Sequence, residues 1–151
     1  MRVLLQRVKK ASLTIDNELV AYINKGYLLL VGFKEGDKFD SLDKMTKKVI
    51  NSRLFEDENG KTNLSLKEVN GEILSVSQFT LYASMKEGNR PSFVKAMAGN
   101  EAKTFYALFN EKLKEYLPSL KEGVFGADMK IDLINDGPFT ILFDSEELFG
   151  E

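Results

Sequence analysis

"NGEILSVSQFTLYA" (residues 70–83) reads as a β-strand entered through a tight turn. Asn70-Gly71 is a strong hairpin signal, because both residue types tolerate positive φ. The strand it opens, "EILSVSQFTL", begins apolar and then interleaves Ser77, Gln78 and Thr80 with Val76, Phe79 and Leu81. Polar side chains at the mouth of a buried strand must find partners or face a cavity. Upstream, "RLFEDENGKTNLSL" reads as a short strand, a Glu58-Asn59-Gly60 turn and a return.

Working outward, the same signals recur. "RVLLQRV" (2–8) and "ASLTI" (11–15) read as strands, then an Asp16-Asn17 turn and "ELVAYI" (18–23). "YLLLVGF" (27–33) is a continuous apolar run suited to a fully buried strand. The period changes after Asp37, a candidate N-cap: Phe39, Leu42, Met45, Val49 and Ile50 recur at helical spacing. On that helix Lys44, Lys47 and Lys48 read as a solvated face. "GNEAKTFYALFNEKLKEYLP" (99–118) is the clearest helix, with Pro118 as its stop. Met129, Ile131 and Leu133 alternate with Lys130 and Asp132. Gly137-Pro138 interrupts, and "FTILF" (139–143) resumes the alternation. The expected fold is α+β: a curved, mostly antiparallel, barrel-like sheet with two packed helices in a single domain spanning 1–151.

Composition narrows the chemistry. The 151 residues fit one domain, and 43% apolar content supplies a real core, which excludes a disordered chain. There is no cysteine, hence no disulfide, thiolate nucleophile or Cys-ligated metal. There is no histidine, hence neither the commonest general base nor the commonest transition-metal ligand. No metal and no cofactor are expected. Catalysis must use carboxylates, hydroxyls, amines, main-chain groups or the substrate itself. The net charge of −2 argues against general attraction to nucleic acid but leaves room for a local basic face. No run resembles a signal peptide or a membrane span, so the expected location is cytoplasmic.

Three stretches can carry chemistry. Ser77-Gln78-Phe79-Thr80 is either a strand end whose hydroxyls satisfy neighbouring backbone or the wall of a site. As a wall, Gln78 and Thr80 offer polar groups, and the N–H groups near Phe79 and Thr80 can hold an oxyanion. "INDGPFTI" (134–141) is a turn between strands by composition, and a cis Gly-Pro bond is open at this level. "KEGNRPSF" (86–93) carries Lys86 and Arg90, with Lys95 close behind: a solvated loop or a phosphate contact. No P-loop, dinucleotide fingerprint or paired metal-ligand spacing is present.

Taken together, "SQFTL" (77–81) and "NDGPFT" (135–140) resemble the paired signatures of D-aminoacyl-tRNA deacylases. "QRVKKASLTIDNELV", "RLFEDENGKTNLSL", "GNRPSF" and "FGADMKIDLINDGP" extend the likeness over nearly the whole chain. Phe139 departs from it, standing where a smaller residue is expected. Residues 144–151, ending "DSEELFGE", read as an extension beyond the shared core.

The resemblance implies a cytoplasmic homodimer that hydrolyses the ester of D-aminoacyl-tRNAs and of glycine mischarged on alanine tRNA. It implies aminoacyl-tRNA as partner, and neither membrane nor DNA. Ser77, Gln78, Phe79 and Thr80 of one subunit would form the pocket floor. Gly137 and Pro138 of the other, joined by a cis peptide, would form the inserted lid that rejects L-amino acids. Apart from the resemblance, Lys86, Arg90 and Lys95 are the loop cations expected to meet RNA. An aminoacyl ester is already activated, so orientation and oxyanion stabilisation suffice if the ribose 2′-hydroxyl takes the proton. A nucleophilic Thr80 needs a base that the sequence does not display. Two other readings compete: a non-catalytic homodimeric RNA-binding module, and an editing enzyme for a small L-amino acid on the wrong tRNA.

Overall fold

The computed structural model describes residues 1–151. The long strand β1 (Arg2–Ile15) organises the chain. Its buried side chains are Val3, Leu5 and Arg7, then Val8, then Ala11 and Leu13, a double shift between Gln6 and Val8 and between Val8 and Ala11. That shift carries the strand from one core to another. Val3 and Leu5 pack in a large cluster with the helices, whereas Val8, Ala11 and Leu13 pack in a second one under β2 (Glu18–Ile23). Burial of one such Val or Leu side chain contributes about 1.5–3 kcal/mol.

β1 pairs antiparallel with β2 through Ala11–Ile15, with β3 (Gly26–Gly32) through Arg2–Val8, and with β8 (Lys130–Asp144) along nearly its full length. Beyond β3 the sheet continues with β6 (Glu72–Ser77) and the short β7 (Lys121–Glu122), both added parallel. β4 (Arg53–Glu56) and β5 (Thr62–Ser65) form a separate antiparallel pair. The α+β class and the curved, mainly antiparallel sheet agree with the sequence reading. The parallel flank β3–β6–β7 is new.

Asn70-Gly71 turns the chain, with Asn70 at φ 54°, but makes no hairpin. The strand after it does not return along β5. It joins β3 in parallel, from Gly26 opposite Glu72 to Val31 opposite Ser77. Parallel neighbours need a crossover, here α1 (Asp40–Asn51) with the β4–β5 pair. The close pairing explains Gly26: a Cβ there would lie 1.8 Å from the Glu72 carbonyl oxygen.

Two helices cover the large core. α1 buries Leu42, Met45, Val49 and Ile50, while α2 (Gly99–Tyr116) buries Ala102, Phe105, Phe109 and Leu113. Phe39 remains more exposed than its spacing suggests, stacking on Phe105 at 4.6 Å. Asp37 is not the cap of α1, whose N-cap is Phe39 without a side-chain bond. The Asp37 carboxylate is instead taken by the Met1 ammonium (2.8 Å) and the Lys34 N–H (2.8 Å). A third helix, α3 (Ser145–Phe149), lies in the segment read as an extension. Asp144 caps it, and Ser145 N–H bonds the Met1 carbonyl at 2.9 Å. No helix is long and apolar enough to cross a membrane.

Candidate active site

β6 ends at Ser77, earlier than the apolar pattern suggests. Gln78 N–H still bonds the Val31 carbonyl (2.7 Å), and the chain then tightens into a 3-10 turn over Phe79–Tyr82. Its bonds run from Leu81 N–H to the Gln78 carbonyl and from Ala83 N–H to the Thr80 carbonyl. A helical turn leaves its first N–H groups without internal partners, and here those belong to Phe79 and Thr80. Gln78 Nε2 donates to Thr80 Oγ1 at 2.5 Å. No carboxylate or amine bonds that hydroxyl.

The strand end is held from behind. Tyr106 of α2 donates its hydroxyl to the Ser75 carbonyl at 2.8 Å, and Ser75 Oγ donates to Asn110 Oδ1 at 2.7 Å. Burial pushes the Tyr106 phenol above its ordinary pKa, so it stays a neutral donor. Tyr106 also contacts Phe125 at 6.0 Å between ring centroids.

In front lies a cavity of about 530 Å³. Ser77, Gln78 and Phe79 form one wall. Met97, Gly99 and Ala102 close the α2 side, and the segment from Phe125 to Met129 faces them. Phe79 is 55% exposed although it packs edge-on against Phe93 at 4.9 Å. Thr80 is exposed and does not line the cavity.

Gly137 and Pro138 are elsewhere on the chain, exposed, and neither borders this cavity. They sit within β8, which runs through the expected break. Val8 pairs with Asn135 and Gln6 with Thr140, so two steps on β1 oppose five on β8, and Asp136–Phe139 leave the ladder. Asn135 anchors the excursion: Oδ1 accepts from Phe139 N–H at 2.7 Å, and Nδ2 donates to Gln6 Oε1 and Thr140 Oγ1. The Gly137–Pro138 peptide is cis, and Gly137 has φ 142°, where L side chains are strained.

Arg7 is the residue the sequence reading missed. It is buried without a carboxylate partner. Nε donates to the Asp136 carbonyl (3.0 Å) and Nη1 to the Leu54 carbonyl (2.7 Å), which fixes the Gly-Pro loop to β1. Its guanidinium lies 4.4 Å from the Phe139 ring centroid, an attractive cation–π contact that gives the unexpected phenylalanine a role. The signal was present: after Val3 and Leu5, alternation puts position 7 inward, and an inward arginine must serve something.

Of the loop cations, Lys86 and Lys95 line a separate groove, whereas Arg90 is exposed and does not. Main-chain bonds between Ser84 and Ser92 pinch the loop that carries Lys86 and Arg90.

A site with free main-chain N–H groups at a strand-to-turn junction, and no histidine or cysteine, suits hydrolysis of an acyl group that arrives activated. The family follows from comparison. The family model described as D-Tyr-tRNA(Tyr) deacylase matches residues 4–144, and the chain belongs to this family of D-aminoacyl-tRNA ester hydrolases. It is 58% identical over 144 residues to the D-aminoacyl-tRNA deacylase of Lactobacillus gasseri, covering 95% of this chain and 99% of that one. It is 46% identical over 149 residues to that of Clostridium novyi, covering 99% and 100%. Among solved structures, one titled c-Myc DNA Unwinding Element Binding Protein superposes with TM-score 0.91 at 40% identity, over 96% of this chain and 99% of that one. A probable eukaryotic D-amino acid tRNA deacylase, 18% identical, shares the fold at TM-score 0.83, over 94% and 97%.

Proposed function

We propose that this deacylase is a cytoplasmic homodimer whose sites are shared between subunits, the Ser77–Thr80 segment of one chain meeting Gly137-Pro138 of the other. One observation carries this reading: the cavity beside Ser77, Gln78 and Phe79 contains no residue of the Gly-Pro loop, which Arg7 and Asn135 nevertheless hold in an exposed, defined conformation. A two-fold dimer brings each such loop to the partner's cavity and makes two equivalent sites.

In this reading the terminal adenosine of the tRNA enters the cavity against Phe125, and the ester lies over the turn. The N–H groups of Phe79 and Thr80 receive the oxyanion, and Gln78 orients the ester. Water attacks the ester carbonyl. The ribose 2′-hydroxyl accepts a proton from that water while passing its own to the departing 3′-oxygen, so the free amino acid and the tRNA 3′-hydroxyl are released. Carbonyl oxygens of Gly137 and Pro138 accept from the substrate ammonium and fix its α-carbon. An L side chain then points into main chain, and a D side chain points outward. Selectivity is thus exclusion of the wrong partner rather than attraction of the right one. Glycine has no side chain to exclude, so glycine on alanine tRNA is cleaved too. Lys86, Arg90 and Lys95 approach the RNA backbone.

The test compares D-tyrosyl-tRNA, L-tyrosyl-tRNA and glycyl-tRNA specific for alanine under single turnover. The D and glycine esters are expected to be cleaved and the L ester spared. Cleavage of small L-aminoacyl esters would favour the competing editing activity, and binding without turnover the non-catalytic module.

Thr80→Ala is expected to remain an active deacylase, within about tenfold of the wild type. The hydroxyl accepts from Gln78 Nε2 and has no base to activate it, so its loss costs about one hydrogen bond, roughly 0.5–1.5 kcal/mol. Abolished turnover in a folded, tRNA-binding variant would make Thr80 a nucleophile.

A further inference from the structure

A second concavity, about 570 Å³, adjoins the far end of the same turn. Arg2, Lys34, Lys86 and Lys95 line it, with Tyr82 as its aromatic wall and Glu146 as its acidic residue. Each cation comes from a different place in the sequence. Arg2 begins β1, and its Nη1 donates to the Leu81 carbonyl at 2.8 Å while its Nε holds Asp144 at 2.9 Å. Lys34 follows β3. A bridge between Lys34 and Ala96, with Glu35 N–H on the Lys95 carbonyl (3.0 Å), brings Lys95 beside it. Lys86 reaches in from the loop pinched between Ser84 and Ser92. The charges are unequally compensated. Asp144 pairs with Arg2 and Glu146 with Lys34, but Lys86 and Lys95 form no ion pair. With the Asp37 carboxylate and the Met1 ammonium that pairs with it, five cations meet three carboxylates; the local excess of two positive charges, on a chain of net charge −2, lies on Lys86 and Lys95.

We infer that this groove seats phosphodiesters of the single-stranded 3′ end of the RNA, upstream of the nucleoside that carries the ester. The inference rests on the deacylase reading of the adjoining cavity. The 3-10 turn connects the two places: Phe79 and Thr80 open it, and Tyr82 closes it in the groove. At about 2 Å per residue the turn spans roughly 6 Å, so the groove lies within reach of a strand whose last nucleoside fills the cavity. Tyr82 is buried, its ring 4.6 Å under the Arg2 guanidinium, and forms the base of the groove. Glu146 has the opposite effect. It lies outside the family-matched span of 4–144, and its carboxylate occupies Lys34, so it competes with phosphate for that cation.

The experiment measures KM and kcat on D-tyrosyl-tRNA, and the Kd of an uncharged RNA hairpin ending in single-stranded CCA, each as a function of salt. Lys86→Ala with Lys95→Ala is expected to raise KM and Kd about tenfold while kcat at saturation stays unchanged. The slope of log Kd against log salt should become shallower by about 0.7 for each lysine removed. Glu146→Gln, which retains the cap of α3 through Asp144, is expected to tighten Kd about threefold. Unchanged Kd and slope in the double variant, or a fall in kcat without change in KM, would overturn the groove as a phosphate seat. Failure of the deacylase reading is separate: the wild-type protein would then bind the hairpin with the predicted salt slope but release no amino acid.

Discussion

A D-aminoacyl-tRNA whose terminal ribose carries hydrogen in place of the 2′-hydroxyl is expected to be hydrolysed about 100- to 10,000-fold more slowly, with binding retained. That is the range a positioned proton acceptor contributes. The expectation follows from the groups at the turn: the one carboxylate on the cavity wall, Asp128, is largely exposed and paired with Lys130. There is no histidine and no cysteine, and the Thr80 hydroxyl is bonded only by an amide donor. What the turn does offer is a pair of main-chain N–H groups, which stabilise an oxyanion but cannot accept a proton. The vicinal hydroxyl of the substrate sits on the ribose carbon next to the one that bears the ester, so the enzyme needs only to hold it in place. Undiminished hydrolysis of the deoxy substrate would transfer the role to a protein group. Asp128, which borders the cavity, would be the first to replace.

Local signals carried much of this architecture. Period-two alternation marks both arms of β8, apolar runs mark β2 and β3, and a 3.6-residue period marks α1 and α2. Partners of strands are a different matter. Asn70-Gly71 has the local geometry of a turn, but which strand β6 joins is decided by the apolar faces of β3 and β6, 46 residues apart in the Gly26–Glu72 pairing. Asp37 has the chemistry of a cap, yet the Met1 ammonium takes its carboxylate. Tertiary contacts override propensity in both places.

The site divides in the same way. Ser77 to Thr80 stood out because polar residues interrupt an apolar strand, and the structure converts that interruption into a turn with free donors. Gly137-Pro138 stood out by composition. What anchors it was less visible: Asn135 reads as a turn former, and only its three side-chain bonds give it another task. Arg7 had a signal in its inward parity, but its partners, the Leu54 and Asp136 carbonyls, are far along the chain.

The measurement closest to the central claim asks whether floor and lid belong to different chains. One variant carries a damaged floor, Gln78→Ala with Phe79→Ala. The other carries a damaged lid, Gly137→Ala with Pro138→Ala. At Gly137 an added Cβ lies 3.1 Å from Phe139 N and 3.2 Å from Arg7 Nη2, on a backbone strained for any L residue. Each homodimer is expected to fold, as checked by circular dichroism and sizing, and to be inactive. In a heterodimer with shared sites, one site combines both defects and the other combines neither. Equimolar co-refolding should therefore restore about a quarter of wild-type activity, since about half of the dimers are mixed and each has one intact site. Activity that stays at the level of the separate variants, with heterodimers demonstrated by differential tagging, would contradict the account and place floor and lid in the same chain.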